Sequence, residues 1–213
     1  MFKRFSAAAV LAATLAGPVL AQGTEITGAG ATFPAPVYNA WAAAYRQATN
    51  NTLNYQAVGS GAGITQAQNR TVDFGASDAP LAAQRLNQQR LFQVPAVIGA
   101  VVPIVNLPGI AKNQMRLTGA LVADIYRGQI RTWNDPRIVA INPGVALPNT
   151  PIQPIYRSDG SGTTFVWTTY LAEVSPEWRT SVGAATSVQW PAGAGARGSD
   201  GVAGAVRNTV GSI

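Results

Sequence analysis

An α/β fold with largely parallel sheets is what this sequence predicts, on three observations. Short extended stretches alternate with helical patterns along the chain. Several of those stretches end on small polar residues that lead into a helix. Only 11% of the 213 residues are charged, while 22 Gly and 14 Pro supply many turns, so the chain favours close backbone packing over long charged helices.

The elements follow in order. Residues 27–32 are extended and end in a turn, with Gly28 and Gly30 allowing tight backbone approach. A helix runs on from Phe33, with Pro34 in its first turn and Val37, Trp41, Ala44, Tyr45 and Ala48 on one face. Residues 53–58 are extended and enter the loop Gly59-Ser60-Gly61-Ala62-Gly63, after which a short helix starts near Ile64. A buried strand over 72–76 ends at Ser77-Asp78, and an Ala/Gln/Arg helix covers 81–91. Residues 94–105 form the most strand-like apolar run of the chain. Helix is expected over 117–126 and loop over 138–148. Residues 154–157 are extended into the turn Ser158-Asp159-Gly160-Ser161-Gly162, and a helix over 163–171 carries Phe165, Trp167 and Tyr170. Beyond it the chain is Gly-rich and weakly patterned, and there is no internal repeat.

Composition removes whole classes of chemistry. The chain has no Cys and no His. That excludes disulfides, thiolate nucleophiles, Cys-ligated metals, the Ser-His-Asp triad and the usual general base near neutral pH. Backbone amides, hydroxyls, Arg and a few carboxylates remain, which favours binding over catalysis. The net charge of +6 is small and its arginines are scattered, with no basic helix or arm, so no nucleic-acid partner is expected.

Known enzyme motifs fail on inspection. Gly160-Ser161-Gly162-Thr163 lacks the Lys of a Walker A loop. Ser60 lacks the Gly two positions earlier that a nucleophile elbow needs. Asp73, Asp78 and Asp124 do not have metal-ligand spacing, so no metal is expected, and Asp73 reads as structural. No cofactor is implied.

Four turns have a different character. In open α/β sheets ligands sit at the carboxyl ends of strands. Ala31-Thr32-Phe33, Gly59-Ser60-Gly61, Ser77-Asp78 and the segment 157–163 all end extended stretches there, and three of them open helices. A helix N-terminus offers unpaired N–H groups and partial positive charge, which suits an anion. Taken singly, Thr32 and Ser60 read as plain N-caps, while Arg157 with Asp159 reads either as a surface salt bridge or as a pair at the mouth of a helix N-terminus that fixes the guanidinium toward an anion.

The first 21 residues read as an address. Lys3 and Arg4 precede an Ala/Val/Leu run, and Val19-Leu20-Ala21 fits a small-x-small cleavage site. The run is broken by Gly17-Pro18 and too short to span a bilayer, so a cleaved signal peptide is expected and no stable membrane insertion. In a Gram-negative cell the mature chain is then periplasmic.

Thr27-Gly28-Ala29-Gly30-Ala31-Thr32-Phe33-Pro34, Val72-Asp73-Phe74-Gly75-Ala76-Ser77-Asp78-Ala79-Pro80 and Asp159-Gly160-Ser161-Gly162-Thr163 occur in that order. In these stretches, in Trp133-Asn134-Asp135 and in the region 193–201, the chain resembles the periplasmic phosphate-binding proteins of the bacterial phosphate ABC transporter. The resemblance implies a two-lobed, Venus-flytrap architecture of the type II periplasmic-binding-protein kind. Such a protein, working as a monomer, closes on one inorganic phosphate and delivers it to an inner-membrane ABC permease. It implies a first lobe in residues 22–80 and a second in 81–213. It also implies a phosphate shell of Thr32, Phe33, Ser60, Asp78, Arg157, Ser161, Gly162 and Thr163, with Asp159 orienting Arg157. Gly61-Ala62 departs from the Ser-Gly that relatives often carry. Family members continue well beyond Ile213, so the closing segments of the first lobe and its second hinge crossing are expected to be missing.

The shell has its own physical logic. A buried dianion can be satisfied by N–H and O–H donors without a full countercharge. An ionised Asp78 only accepts, so it repels sulfate but takes the proton that phosphate retains. Other oxyanions such as sulfate or molybdate, and a secreted phosphatase or esterase using Ser60 or Ser161, are the alternatives.

Overall fold

Residues 23–213 are described by the computed structural model, and the expected leader lies outside them. The chain opens with β1 (Glu25–Gly30), α1 (Ala35–Thr49), β2 (Thr52–Gln56), α2 (Ser60–Gln68), β3 (Phe74–Ala76) and α3 (Ala83–Gln89). The three strands form one parallel sheet in the order β2-β1-β3, with Gly28 opposite both Tyr55 and Phe74. Small residues at the middle of β1 let helices approach. A Cβ on Gly63 of α2 would lie 2.4 Å from the Gly30 Cα, so only glycine permits this helix–sheet contact. Asp73 fastens the start of the sheet: its carboxylate accepts from the Thr27 N–H at 2.7 Å and the Thr27 hydroxyl at 3.0 Å.

The second half holds α4 (Gly119–Tyr126), α5 (Pro136–Ala140), β4 (Ile155–Arg157), α6 (Gly162–Val174), α7 (Pro176–Ser181), β5 (Ala194–Ala196) and α8 (Gly198–Asn208). Here β4 and β5 pair in parallel. Every member of the main buried cluster falls between Leu107 and Ile213, including Trp133, Trp178, Ile125, Ile130, Ile138 and Leu171. Trp133 is fully buried and its indole N–H donates to the Gly211 carbonyl at 2.9 Å, tying the middle of the chain to its end. Trp133→Ala is expected to cost about 3–5 kcal/mol from the cavity and the orphaned carbonyl. A urea midpoint unchanged from the parent would contradict that assignment.

Five expectations need correction. The apolar run 94–105 is not a strand. Ile98 is 97% exposed and Val94 66%, because no strand among the described residues lies beside the run to complete its hydrogen bonds. On α1, Ala35, Tyr38, Ala42 and Tyr45 are the half-buried positions, and Tyr38 meets Tyr55 edge-on at 4.8 Å. Val37, Trp41, Ala44 and Ala48 of the expected face are exposed, since two apolar stripes run along this helix and sequence alone does not rank them. Helix α2 starts at Ser60, so the glycines expected in a loop form its first turn. Residues 138–148 are not all loop, for α5 begins at Pro136 under an Asp135 cap. The weakly patterned tail contains α7, β5 and α8, all short or Gly-rich enough to leave little periodic signal.

Helix α3 lies beside the first sheet's helices: Arg85 donates to the Gln68 side chain at 3.2 Å, and Arg70 to the Gln89 carbonyl at 2.9 Å. Among the described residues no helix is long and apolar enough to cross a membrane.

Candidate functional site

The carboxyl ends of β1, β3 and β4 converge, and the residues following them face one another. Arg157, the last residue of β4, is buried with 7% exposure. Its Nε donates to Asp159 Oδ1 at 2.7 Å and its Nη2 to Asp159 Oδ2, so the guanidinium is held along one edge. The Asp159 carboxylate also accepts from the Gly198 N–H, at the start of α8, at 3.0 Å. Burial alone would raise the Asp159 pKa, but the guanidinium and that N–H outweigh it and hold the carboxyl below its ordinary range. Arg157 and Asp159 are therefore a fixed, largely buried ionic pair, the second of the two readings their spacing allows.

The free edge of Arg157 reaches across to the end of β1. Its Nη1 donates to the Thr32 hydroxyl at 3.0 Å. A second link joins the two halves of the chain at Gly61, whose N–H donates to the Gly160 carbonyl at 2.9 Å. A third runs from the Thr163 hydroxyl to Asp78 Oδ2 at 3.4 Å.

Two helix N-termini face this junction. Ser161, fully buried, caps α6 by accepting from the Thr164 N–H at 3.1 Å, which leaves its own hydrogen available to donate. Gly162 and Thr163 are the first two residues of α6, where N–H groups have no partner within the helix. Ser60, 1% exposed, is the first residue of α2, after Gly59 at the N-cap, and its hydroxyl accepts from the Asp78 N–H at 3.4 Å. Phe33 is 38% exposed, with its ring close to the Gly99 backbone.

Among the described residues Asp78 is the one side-chain carboxylate turned inward without a cation on it. Its Oδ1 is buried and has no hydrogen-bond partner among the described residues. Burial pushes its pKa up, against the Thr163 hydroxyl, the charge of Arg157 and the Ser60 hydroxyl, which pull it down. Gly162 makes this position possible, because a Cβ there would lie 2.5 Å from the Asp78 Cγ.

All nine residues expected from the sequence thus surround one junction, with Phe33 at its exposed margin. Sequence reading missed Ser199, whose hydroxyl lies 2.7 Å from that of Thr32 and 3.3 Å from Arg157 Nη1. Its only signal was a Ser after the glycine run at 193–198, in a stretch without readable pattern. The junction offers hydroxyls, helix N-termini and one guanidinium as donors, and one carboxylate as acceptor. That donor set suits a small oxyanion. Among the described residues no cluster of acidic side chains could hold a metal ion.

The junction thus lies at the strand ends of two parallel α/β units. The chain belongs to the PBP superfamily, whose domain matches residues 13–213. It is similar to the phosphate-binding protein PstS of Pasteurella multocida, 50% identical over 203 residues that cover 95% of this chain and 58% of that protein. The phosphate-binding protein PstS of Haemophilus influenzae is also 50% identical, over 94% of this chain and 60% of its own length. The chain therefore spans about three-fifths of these relatives. In fold it resembles a phosphate-binding protein from Stenotrophomonas maltophilia, with a TM-score of 0.57, 21% identity, and coverage of 89% of this chain and 59% of that one. It also resembles a periplasmic phosphate-binding protein (PfluDING) bound with phosphate, with a TM-score of 0.59, 24% identity, and coverage of 89% and 55%.

Proposed function

We propose that this chain binds inorganic phosphate in the periplasm, as a monomer, and delivers it to an inner-membrane ABC permease, with no catalytic step. The shell in this reading is Thr32, Phe33, Ser60, Asp78, Arg157, Ser161, Gly162 and Thr163, with Asp159 holding Arg157. Residues 22–80 are the N-terminal part of a first lobe and 81–213 a second, after a signal peptide over 1–21 is removed. The relatives named PstS support the solute, and the donor set supports an oxyanion.

The observation that carries the choice of phosphate is Asp78 Oδ1, a buried acceptor with nothing to accept from. A protonated phosphate donates to it. Sulfate at neutral pH carries no proton and leaves two negative oxygens facing one another. The test is a thermal melt with millimolar phosphate, then with sulfate at matched ionic strength. A ligand that binds only the folded state raises stability by about 4 kcal/mol at a thousandfold excess over its dissociation constant. A rise with phosphate alone is expected; equal rises, or none, would overturn the reading.

Asp78→Asn separates selectivity from stability. The amide can donate to sulfate, so the preference for phosphate is expected to narrow about a hundredfold, within the range for one buried group left unpaired. An unchanged phosphate-to-sulfate ratio would remove Asp78 from the role. The ligand-free protein should move the other way. A carboxyl whose folded pKa is raised binds more protons folded than unfolded, so its contribution is present in acid and lost as pH rises through the raised value. The asparagine variant should therefore melt above the parent at neutral pH. That gap should close below the ordinary carboxyl pKa of about 4.

A further inference from the structure

Ser199 stands at the second position of α8, yet its hydroxyl does not cap that helix: the N-cap residue is Arg197, and no side chain caps the end. The hydroxyl instead lies 2.7 Å from Thr32 Oγ1 and 3.3 Å from Arg157 Nη1. Nη1 also donates to Thr32 Oγ1 at 3.0 Å, so the three groups close a triangle across the junction of the two halves. The preceding residue, Gly198, donates its N–H to the carboxylate that clamps the other edge of Arg157. Ser199 is thus held in register with the guanidinium from both sides.

We propose that Ser199 is a positioning residue of the anion site, one that occupies a lone pair of the Thr32 hydroxyl and leaves its hydrogen to be offered to an anion. A hydroxyl has one hydrogen and two lone pairs. Either hydroxyl can donate across the 2.7 Å contact; with Ser199 as the donor, Thr32 Oγ1 receives Nη1–H on one lone pair and the Ser199 hydrogen on the other, which leaves its own hydrogen unused inside the triangle. That hydrogen is then available only to an acceptor placed between the halves. The shorter contact from Nη1 falls on Thr32, so Thr32 is the more strongly polarised of the two hydroxyls and the better donor to an anion. Without Ser199 the second lone pair of Thr32 is free to accept from water, and the hydroxyl loses its fixed sense. Because Thr32 follows β1 while Ser199 and Arg157 belong to the second half, the same triangle ties the donor's orientation to the approach of the two halves.

The inference rests on the phosphate reading, and calorimetric titration with inorganic phosphate separates the two. The parent, Ser199→Ala and Ser199→Thr are compared, each with its melting midpoint measured without phosphate. The alanine variant is expected to bind about tenfold more weakly, the factor that corresponds to ~1.4 kcal/mol. The threonine variant keeps the hydroxyl and should bind like the parent, and all three should melt together without ligand. Equal binding by the parent and the alanine variant would overturn the role of Ser199 and leave the phosphate reading intact. Weakened binding that threonine does not restore, together with a lowered midpoint, would also overturn it, because the residue would then be structural. A parent that gives no heat with phosphate would overturn the phosphate reading itself, and this inference with it.

Discussion

Arg157→Ala is expected to abolish phosphate binding and to destabilise the ligand-free protein by about 3–5 kcal/mol, the usual effect of removing one partner from a buried ion pair. The Arg157 side chain is 5% exposed and that of Asp159 15%, so water cannot easily replace the lost guanidinium. The same residue also supplies the Nη1 hydrogens that reach Thr32 and Ser199, so its removal undoes the pair and the donor geometry together. Removing Asp159 as well relieves the unpaired carboxylate. The double variant Arg157→Ala/Asp159→Ala should therefore be more stable than the single one, while binding stays absent. Urea midpoints of the three proteins and titration with phosphate check both parts. A single variant as stable as the parent would mean that the pair is solvated in solution.

Gly162→Ala is expected to weaken phosphate binding by about a hundredfold or more, the scale set by displacing a positioned group by an ångström. The added methyl would meet Asp78 at 2.5 Å from Cγ and 2.6 Å from Oδ2. Gly162 is the first residue of a 13-residue helix capped by a buried Ser161, so the helix end yields less readily than the carboxylate. Asp78 is pushed out of place and its selectivity goes with it. Stability should fall only by the ~1–3 kcal/mol of local overpacking. Shortening the opposing side chain in the same protein, as Gly162→Ala/Asp78→Gly, should restore the melting midpoint but not the affinity. Parent-like phosphate affinity in Gly162→Ala would show that Asp78 does not need this approach.

Where the pattern is strong, residue order alone located the elements. The extended chain before Thr32, the strand ending at Ala76 and the helix after Ser161 are within a few residues of the observed β1, β3 and α6. The candidate residues that the fold brings together could be picked out for a related reason. Ser60, Asp78 and Arg157 each follow or end a strand, and strand ends of a parallel sheet lie on one side of the fold. Ser199 was not legible, because its helix is Gly- and Ala-rich and the strand before it has only three residues. Residues 94–105 mislead in the opposite sense. Val and Ile there have the local preference for a strand, but a strand needs a neighbour to complete its hydrogen bonds, and preference cannot supply one.

Residue types alone were enough to indicate the class of chemistry. A chain without Cys or His that ends its extended stretches on hydroxyls, an Arg and an Asp offers hydrogen-bond donors and acceptors in place of thiolates and imidazoles, a set that suits an anion. Tertiary structure alone decided which hydroxyl meets which guanidinium hydrogen. It paired Arg157 with Thr32 across 125 positions and Thr32 with Ser199 across 167, and it stripped water from Asp78. The physical reason is that direction and desolvation belong to groups brought together in space. Neither is a property of a residue type, and neither is visible in residue order.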